Sequence, residues 1–322
     1  MATAAANLAI GAVLRARHPV PGAFYNVDGR SMHLYCTGQG APTVILESGG
    51  GDDWIYWQKV QPELSRTTRV CSYDRAGLGW SAHQPGPRDA TNIARQLHTL
   101  LQQAGESNAL VLAGASAGGF YIREFVSSYS AQAAGVVFVD SSVPDQFTAI
   151  PGSSDREAVL ALRFHEALIE WLRNASGWSR LTGHCTGDLE RGLEAYADYA
   201  RADACRSYPT SALAEWNSFW DAGDQAARAR CCGKLPVLVI SQDPDRPKPG
   251  WTADAIAVQP IWNALQEQLK QLSPNSRRII ARDSAHHVMI DRPDVVVSGI
   301  RSIVQQIRTG VADPQNGSTV TQ

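Results

Sequence analysis

Gly114-Ala115-Ser116-Ala117-Gly118 stands between an apolar run at 109–113 and a helical pattern over 120–128. A serine flanked by small residues at a strand-to-helix junction is the pattern of a nucleophile elbow. The turn is tight, so its neighbours must be small, and the hydroxyl is lifted clear of the sheet. A serine hydroxyl is a weak nucleophile by itself; it needs a histidine base, which needs a carboxylate to hold its tautomer. In chains built around this elbow the order is serine, acid, histidine. Of the histidines at 18, 33, 83, 98, 165, 184, 286 and 287, only the last two lie late enough, in Asp283-Ser284-Ala285-His286-His287-Val288 after the last expected strand. His286 is the expected base and His287 a packing or substrate-facing neighbour; the other six are expected at the surface or in the core.

The loop after the apolar run 236–240 reads Ser241-Gln242-Asp243-Pro244-Asp245. Asp245 is the favoured acid, because it lies where such a loop has turned back toward the base. Asp243, two residues nearer the strand, and Asp140, ending the preceding strand, stay open. Acyl transfer also needs donors for the developing oxyanion, and one such N–H is worth about 10²–10³ in rate. Glu47-Ser48-Gly49-Gly50-Gly51 supplies an unhindered backbone, so the Gly50 and Ala117 N–H groups are the expected oxyanion hole. Gly49, Gly51, Trp54 and His287 are expected to border the substrate. No Lys-Ser/Thr pair follows these glycines, as a phosphate-cradling loop would require.

These residues need a scaffold. Runs at 24–27 and 31–36 flank Asp28-Gly29, a dipeptide suited to a tight hairpin. Then come runs that are apolar throughout, at 43–46, 69–73, 109–113, 135–139, 236–240 and 278–280, the mark of parallel strands covered on both faces. Between them, Ile93, Leu97, Leu100, Leu101 and Ala104 form a helical stripe ending at Gly105, and Val296, Ile300, Ile303, Val304 and Ile307 form another. The alternation predicts an α/β sandwich. It lapses over 141–232, where helical segments at 156–174, 189–204 and 211–229 carry Trp171, Trp178, Trp216 and Trp220. That stretch is expected to form a cap over the carboxyl edge of the sheet. The expected organisation is an N-terminal apolar and basic segment (1–21), a core from 22–140 and 233–308, the cap at 141–232, and a disordered tail at 309–322.

The 322 residues are 44% hydrophobic and 19% charged, with 29 basic against 31 acidic side chains, which describes a soluble globular chain without the basic footprint nucleic acid requires. Nothing approaches the roughly 20 apolar residues of a membrane span. Residues 2–14 are uncharged and precede Arg15 and Arg17, the reverse of a secretory signal, so a helix leaning on the body is expected. A cytoplasmic location is favoured, with an anchor or export signal trimmed from the chain left open. The cysteines at 36, 71, 185, 205, 231 and 232 show no zinc-site spacing, so no metal is expected. Buried free thiols are the expected state, with Cys185 and Cys205 the pair to test.

The elbow at 114–119, the loop Ser48-Gly49-Gly50-Gly51, the segment 73–81 (Tyr-Asp-Arg-Ala-Gly-Leu-Gly-Trp-Ser), the segment 139–145 (Val-Asp-Ser-Ser-Val-Pro-Asp), and His286 followed by Asp291-Arg292-Pro293 together resemble the α/β-hydrolase fold superfamily over about residues 22–308. The resemblance implies an eight-stranded, mostly parallel sheet flanked by helices, a helical cap inserted after the sixth strand, and a Ser-His-Asp hydrolase that uses no cofactor. It also implies structural roles for Asp74 and Arg75. The chain departs from the family in having Ser48 where His is common and Gln242 where Gly is common; the second departure bears on the choice of acid. Ser116 in place of an aspartate separates it from the related haloalkane dehalogenases and epoxide hydrolases. The expected activity is that of a carboxylesterase cleaving short- to medium-chain or aromatic esters through an acyl-enzyme, with a small-molecule ester as partner and a homodimer compatible with the chain. The same machinery serves amidases, aminopeptidases, thioesterases, C–C hydrolases, haloperoxidases and lyases, and a non-catalytic small-ligand binding protein is the other class.

Overall fold

The computed structural model describes residues 2–106, 109–182, 192–204, 210–246 and 253–322. Its strands are β1 (Ala23–Val27), β2 (Arg30–Thr37), β3 (Thr43–Glu47), β4 (Val70–Tyr73), β5 (Leu110–Ala115), β6 (Ala133–Val139), β7 (Val237–Ser241), β8 (Ser276–Ile280) and β9 (Thr319–Thr321). They form one sheet in the order β1-β2-β4-β3-β5-β6-β7-β8-β9. β1 and β2 make the hairpin at Asp28-Gly29, β2 runs antiparallel to β4, and the remaining pairings are parallel.

β3, β4, β5 and β7 are buried along their whole length, which is why these runs are apolar without alternation. Val44 and Leu46 face one layer, with the helix Pro293–Thr309; Ile45 faces the other, with the helices Ala90–Ala104 and Gly118–Ser128. The helix Ala90–Ala104 starts where Asp89 accepts the Asn92 N–H at 2.9 Å and stops at Gly105, whose φ of +75° suits glycine. Its stripe of Ile93, Leu97, Leu100 and Leu101 is buried.

The chain goes from β3 to β4 on one side and returns to β5 on the other, so the sheet order reverses between β3 and β5. The loops leaving the carboxyl ends of those two strands therefore diverge over a crevice, where open α/β sheets place their ligands. The Gly49-Gly50-Gly51 loop follows β3 and Ser116 follows β5. Between β6 and β7 the described residues are helical, including Arg156–Ser176, Thr210–Asn217 and Phe219–Arg228. The helix Ala2–Arg17 leans on this region and on the loop after β4: Asn7 Nδ2 donates to the Asn174 carbonyl at 2.8 Å, and Arg15 lies over the Trp80 ring at 4.7 Å. Among the described residues no helix is long and apolar enough to cross a membrane.

Two expectations are corrected. The tail is not disordered throughout: β9 adds a ninth strand beside β8, with the Arg278 N–H donating to the Ser318 carbonyl at 3.0 Å and Arg277 pairing Asp313 at 2.7 Å. The open edge of β8 supplies unpaired backbone groups that a polar tail can satisfy. The cysteines are not free thiols: Cys36 bridges Cys71, its direct cross-strand partner between β2 and β4, and Cys231 bridges Cys232. Among the described residues no cysteine is free. Cys185 and Cys205 lie outside the described residues.

Candidate active site

Ser116 sits at φ +49°, a left-handed conformation that a non-glycine residue adopts only where its surroundings force it. Those surroundings are tight. A Cβ on Gly114 would lie 2.7 Å from the Gly118 carbonyl oxygen, one on Gly118 would lie 2.8 Å from that of Glu47, and one on Gly119 would lie 2.6 Å from Ser141 Cβ. The glycines at 114, 118 and 119 thus let β5 turn directly into the helix Gly118–Ser128, which leaves Ser116 over its N-terminus.

Ser116 Oγ lies 2.9 Å from His286 Nε2. The other ring nitrogen, His286 Nδ1, lies 2.7 Å from Asp140 Oδ2. The favoured acid, Asp245, is therefore corrected: the carboxylate on His286 is that of Asp140. The reason is the position of their strands. Asp140 ends β6, next to the serine's own strand, and turns at φ +43°, whereas the Asp245 loop leaves β7 one strand farther out. Asp140 is fully buried, and its Oδ1 accepts from the Gln242 N–H and from Trp262 Nε1, each at 3.0 Å. Asp245 has a side chain 76% exposed and faces Arg282. Asp243, the second candidate, is buried but accepts the N–H groups of Asp245 and Asp283, so it ties two loops together.

Gly50 and Ala117 border one small cavity with Ser116, as an oxyanion site would require. Gly49 lies behind it, where a Cβ would be 3.2 Å from Ser116 Cβ and 2.5 Å from Asp52 Oδ2. The Gly51 N–H is taken by Glu215 Oε2 at 2.8 Å. His287 turns to Tyr56, with ring centroids 5.2 Å apart, and to Asp52 at 3.9 Å. Trp54 is corrected as a substrate contact. It is fully buried, packed edge-on against Tyr35, Tyr196 and Tyr199, because its own N–H is anchored on Asp74 and the short helix Trp54–Trp57 turns it away from the serine.

The structural role expected of Arg75 has a partner, Glu215, that carried no sequence signal. Arg75 spends all five of its N–H groups: Nε and Nη2 on the two oxygens of Glu215, Nη1 on Glu47 and the Ser48 carbonyl, and Nη2 also on the Gly49 carbonyl. The glycine loop is thereby tied to Glu215 in the helix Thr210–Asn217 between β6 and β7, across 140 residues of sequence. Burial alone would lower the Arg75 pKa, but Glu215 and Glu47 outweigh it and hold the guanidinium firmly charged. Burial raises the Glu47 carboxyl, with Arg75 and a hydrogen bond from Tyr73 pulling it partly back. Burial likewise raises Asp52, against the pull of His287, Arg75 and His286.

A larger cavity of ≈ 540 Å³ also reaches Ser116 and His286, walled among others by Phe147, Ile150, Trp216, Phe219 and Trp262. An oriented serine, histidine and carboxylate beside a pocket is equipped for acyl transfer. The model of the alpha/beta hydrolase family matches residues 44–298. The chain belongs to the alpha/beta hydrolase family. Within it, the chain is 24% identical over 296 residues to an AB hydrolase superfamily protein of Gibberella zeae, covering 83% of this chain and 87% of that one. Among solved structures it is similar to a thermophilic esterase from Thermogutta terrifontis (TM-score 0.64, 19% identity, 89% of this chain and 99% of that one). It is also similar to an enol-lactonase from Burkholderia xenovorans (TM-score 0.63, 18% identity, 88% of this chain and all of that one). At such identities these two structures speak for the alpha/beta hydrolase fold and not for a substrate.

Proposed function

We propose that this alpha/beta hydrolase is a serine carboxylesterase in which Ser116, His286 and Asp140 act together. The observation that carries the reading is the continuous chain Ser116 Oγ, His286 Nε2, His286 Nδ1, Asp140 Oδ2, with contacts of 2.9 and 2.7 Å. Ser116 Oγ bonds to the ester carbonyl carbon while its proton passes to His286 Nε2, and Asp140 stabilises the imidazolium that results. The carbonyl oxygen takes up the charge and is met by the Gly50 and Ala117 N–H groups. Collapse breaks the bond to the leaving oxygen, which takes the proton from His286. Water then attacks the acyl-serine by the same route and restores the enzyme.

Esters are favoured over amino-acyl amides by Glu215. An aminopeptidase aims a cap carboxylate at the substrate's free amine, and Glu215 is the carboxylate bordering these cavities among the described residues. Both of its oxygens are already committed to Arg75, and one also to Gly51.

A fluorophosphonate followed by peptide mapping tests the nucleophile. The expected result is a single adduct at Ser116, lost together with p-nitrophenyl acetate turnover in Ser116→Ala. Full esterase activity in Ser116→Ala refutes the mechanism, and activity toward amino-acyl amides without ester turnover moves the protein to the other class.

A further inference from the structure

Two cavities of unequal size meet at Ser116. The smaller, of ≈ 60 Å³, is bordered by Gly50, Ala117, Tyr121 and Glu215; the larger, of ≈ 540 Å³, contains His286. Trp216 and Phe219 border both. Once Ser116 Oγ has bonded to the carbonyl carbon, three substituents remain to be placed. The leaving oxygen must come within reach of His286 Nε2 to take its proton, so the leaving group extends into the large cavity. The oxyanion points to Gly50 and Ala117, which brings the acyl substituent to the small side.

We infer that the substrate's acyl group is short, of acetyl to propionyl size, and sits in the small cavity, while its alcohol is bulky and apolar and fills the large one. This rests on the ester-hydrolase reading of Ser116. A water needs about 10–15 Å³ of such space, so the small cavity holds about four to six non-hydrogen atoms, enough for the oxyanion and two or three carbons. Apart from Ser116 and His286, the large cavity presents mainly Phe147, Ile150, Trp216, Phe219, Trp220 and Trp262, with Ser142 and the amides of Gln146, Gln242 and Gln259 as polar points. It accommodates a fused aromatic ring system with room to spare.

Two isomeric esters separate the sides: 2-naphthylmethyl acetate and methyl 2-naphthylacetate carry the same atoms with the ester reversed, and both release a primary alcohol. The expected result is a kcat/KM at least tenfold higher for 2-naphthylmethyl acetate, with a further fall of at least tenfold when its acetyl is lengthened to hexanoyl. Trp216→Ala, which removes a side chain that walls both cavities, is expected to narrow the gap between hexanoyl and acetyl. Equal or reversed preference for the isomers, or hexanoyl turned over as well as acetyl by the unaltered enzyme, overturns the assignment and leaves the ester-hydrolase reading standing. Labelling of Ser116 by a fluorophosphonate with turnover of neither isomer also overturns the assignment alone. Absence of both labelling and turnover removes the ester-hydrolase reading, and the assignment falls with it.

Discussion

Glu215→Ala isolates what the helix Thr210–Asn217 contributes to the proposed reacting centre. The substitution leaves two N–H groups of the buried Arg75 and the Gly51 N–H without their acceptors. Removing one partner of a buried ion pair costs about 3–5 kcal/mol. Here the lower end is expected, because Glu47 and Glu215 share one guanidinium and the loss of Glu215 relieves the like-charge repulsion that helps raise the Glu47 carboxyl. At about 2.1 cal/mol/K per residue over 322 residues, each kcal/mol shifts Tm by roughly 1.5 °C, so a fall of about 4–5 °C is expected. The activity effect is expected to exceed what stability alone would give. Arg75 holds the carbonyls of Ser48 and Gly49, and Glu215 holds the N–H of Gly51, so their release frees the loop that carries Gly50, the proposed oxyanion donor. Complete loss of one oxyanion donor costs about 10²–10³ in kcat, and a donor that is misplaced but present is expected to cost at least about tenfold. The assay is steady-state turnover of p-nitrophenyl acetate well below Tm, with thermal unfolding on the same preparations. Glu215→Gln, which keeps an acceptor for Arg75, is expected to recover part of kcat. A Glu215→Ala enzyme with unaltered kcat and KM refutes the coupling, even if its Tm falls.

Other expectations follow from the same geometry. Asp140→Asn keeps the shape but withholds the carboxylate from His286, so kcat is expected to fall about 10⁴-fold, whereas Asp245→Asn, at an exposed loop side chain, stays near the wild type; equal losses in both would reinstate the β7 loop as the source of the acid. The Asp52 carboxyl is raised by burial, so the folded state binds its proton more tightly than the unfolded chain does. Its contribution to stability is complete below the ordinary carboxylate range and is lost as pH rises through the raised value. Asp52→Asn is therefore expected to gain stability relative to the wild type from mildly acid to neutral pH, and denaturant midpoints that keep a constant gap across that range would contradict the assignment. The Cys36–Cys71 bridge closes a span of 35 residues, so Cys36→Ser is expected to cost about 2–4 kcal/mol, read from urea midpoints with and without reductant; reductant-insensitive midpoints in the wild type would show that the bridge does not form.

Much of this protein was written in local sequence. Strands buried on both faces are mostly apolar, and a helix packed on a sheet must show its stripe, so β3 to β8 and the helices Ala90–Ala104 and Pro293–Thr309 were legible to within a residue or two at the strand ends. The elbow was legible as well, because a strained turn at Ser116 tolerates only small neighbours, and that restriction is local chemistry. His286 followed from chain order. What the sequence left open depended on which strand lies beside which. Asp140 and Asp245 both end strands in suitable loops, and only the order β5-β6-β7 brings the first of them to His286 and leaves the second in solvent. Trp54 read as a pocket residue because it follows the glycine loop closely, yet a hydrogen bond from its N–H to Asp74 turns it into the core. The tail read as disordered because a strand of three residues, Thr319-Val320-Thr321, is too short to show a pattern, while the unpaired edge of β8 was waiting for it. Glu215 gave no signal at all: a carboxylate on a cap helix looks like any solvated side chain until the fold sets it against Arg75. Periodicity and turn chemistry are properties of neighbours in the chain, and they decided the elements and the proposed nucleophile; the proposed acid, the walls of the two cavities and the link between Glu215 and the glycine loop are contacts between distant segments, which only the packed fold brings together.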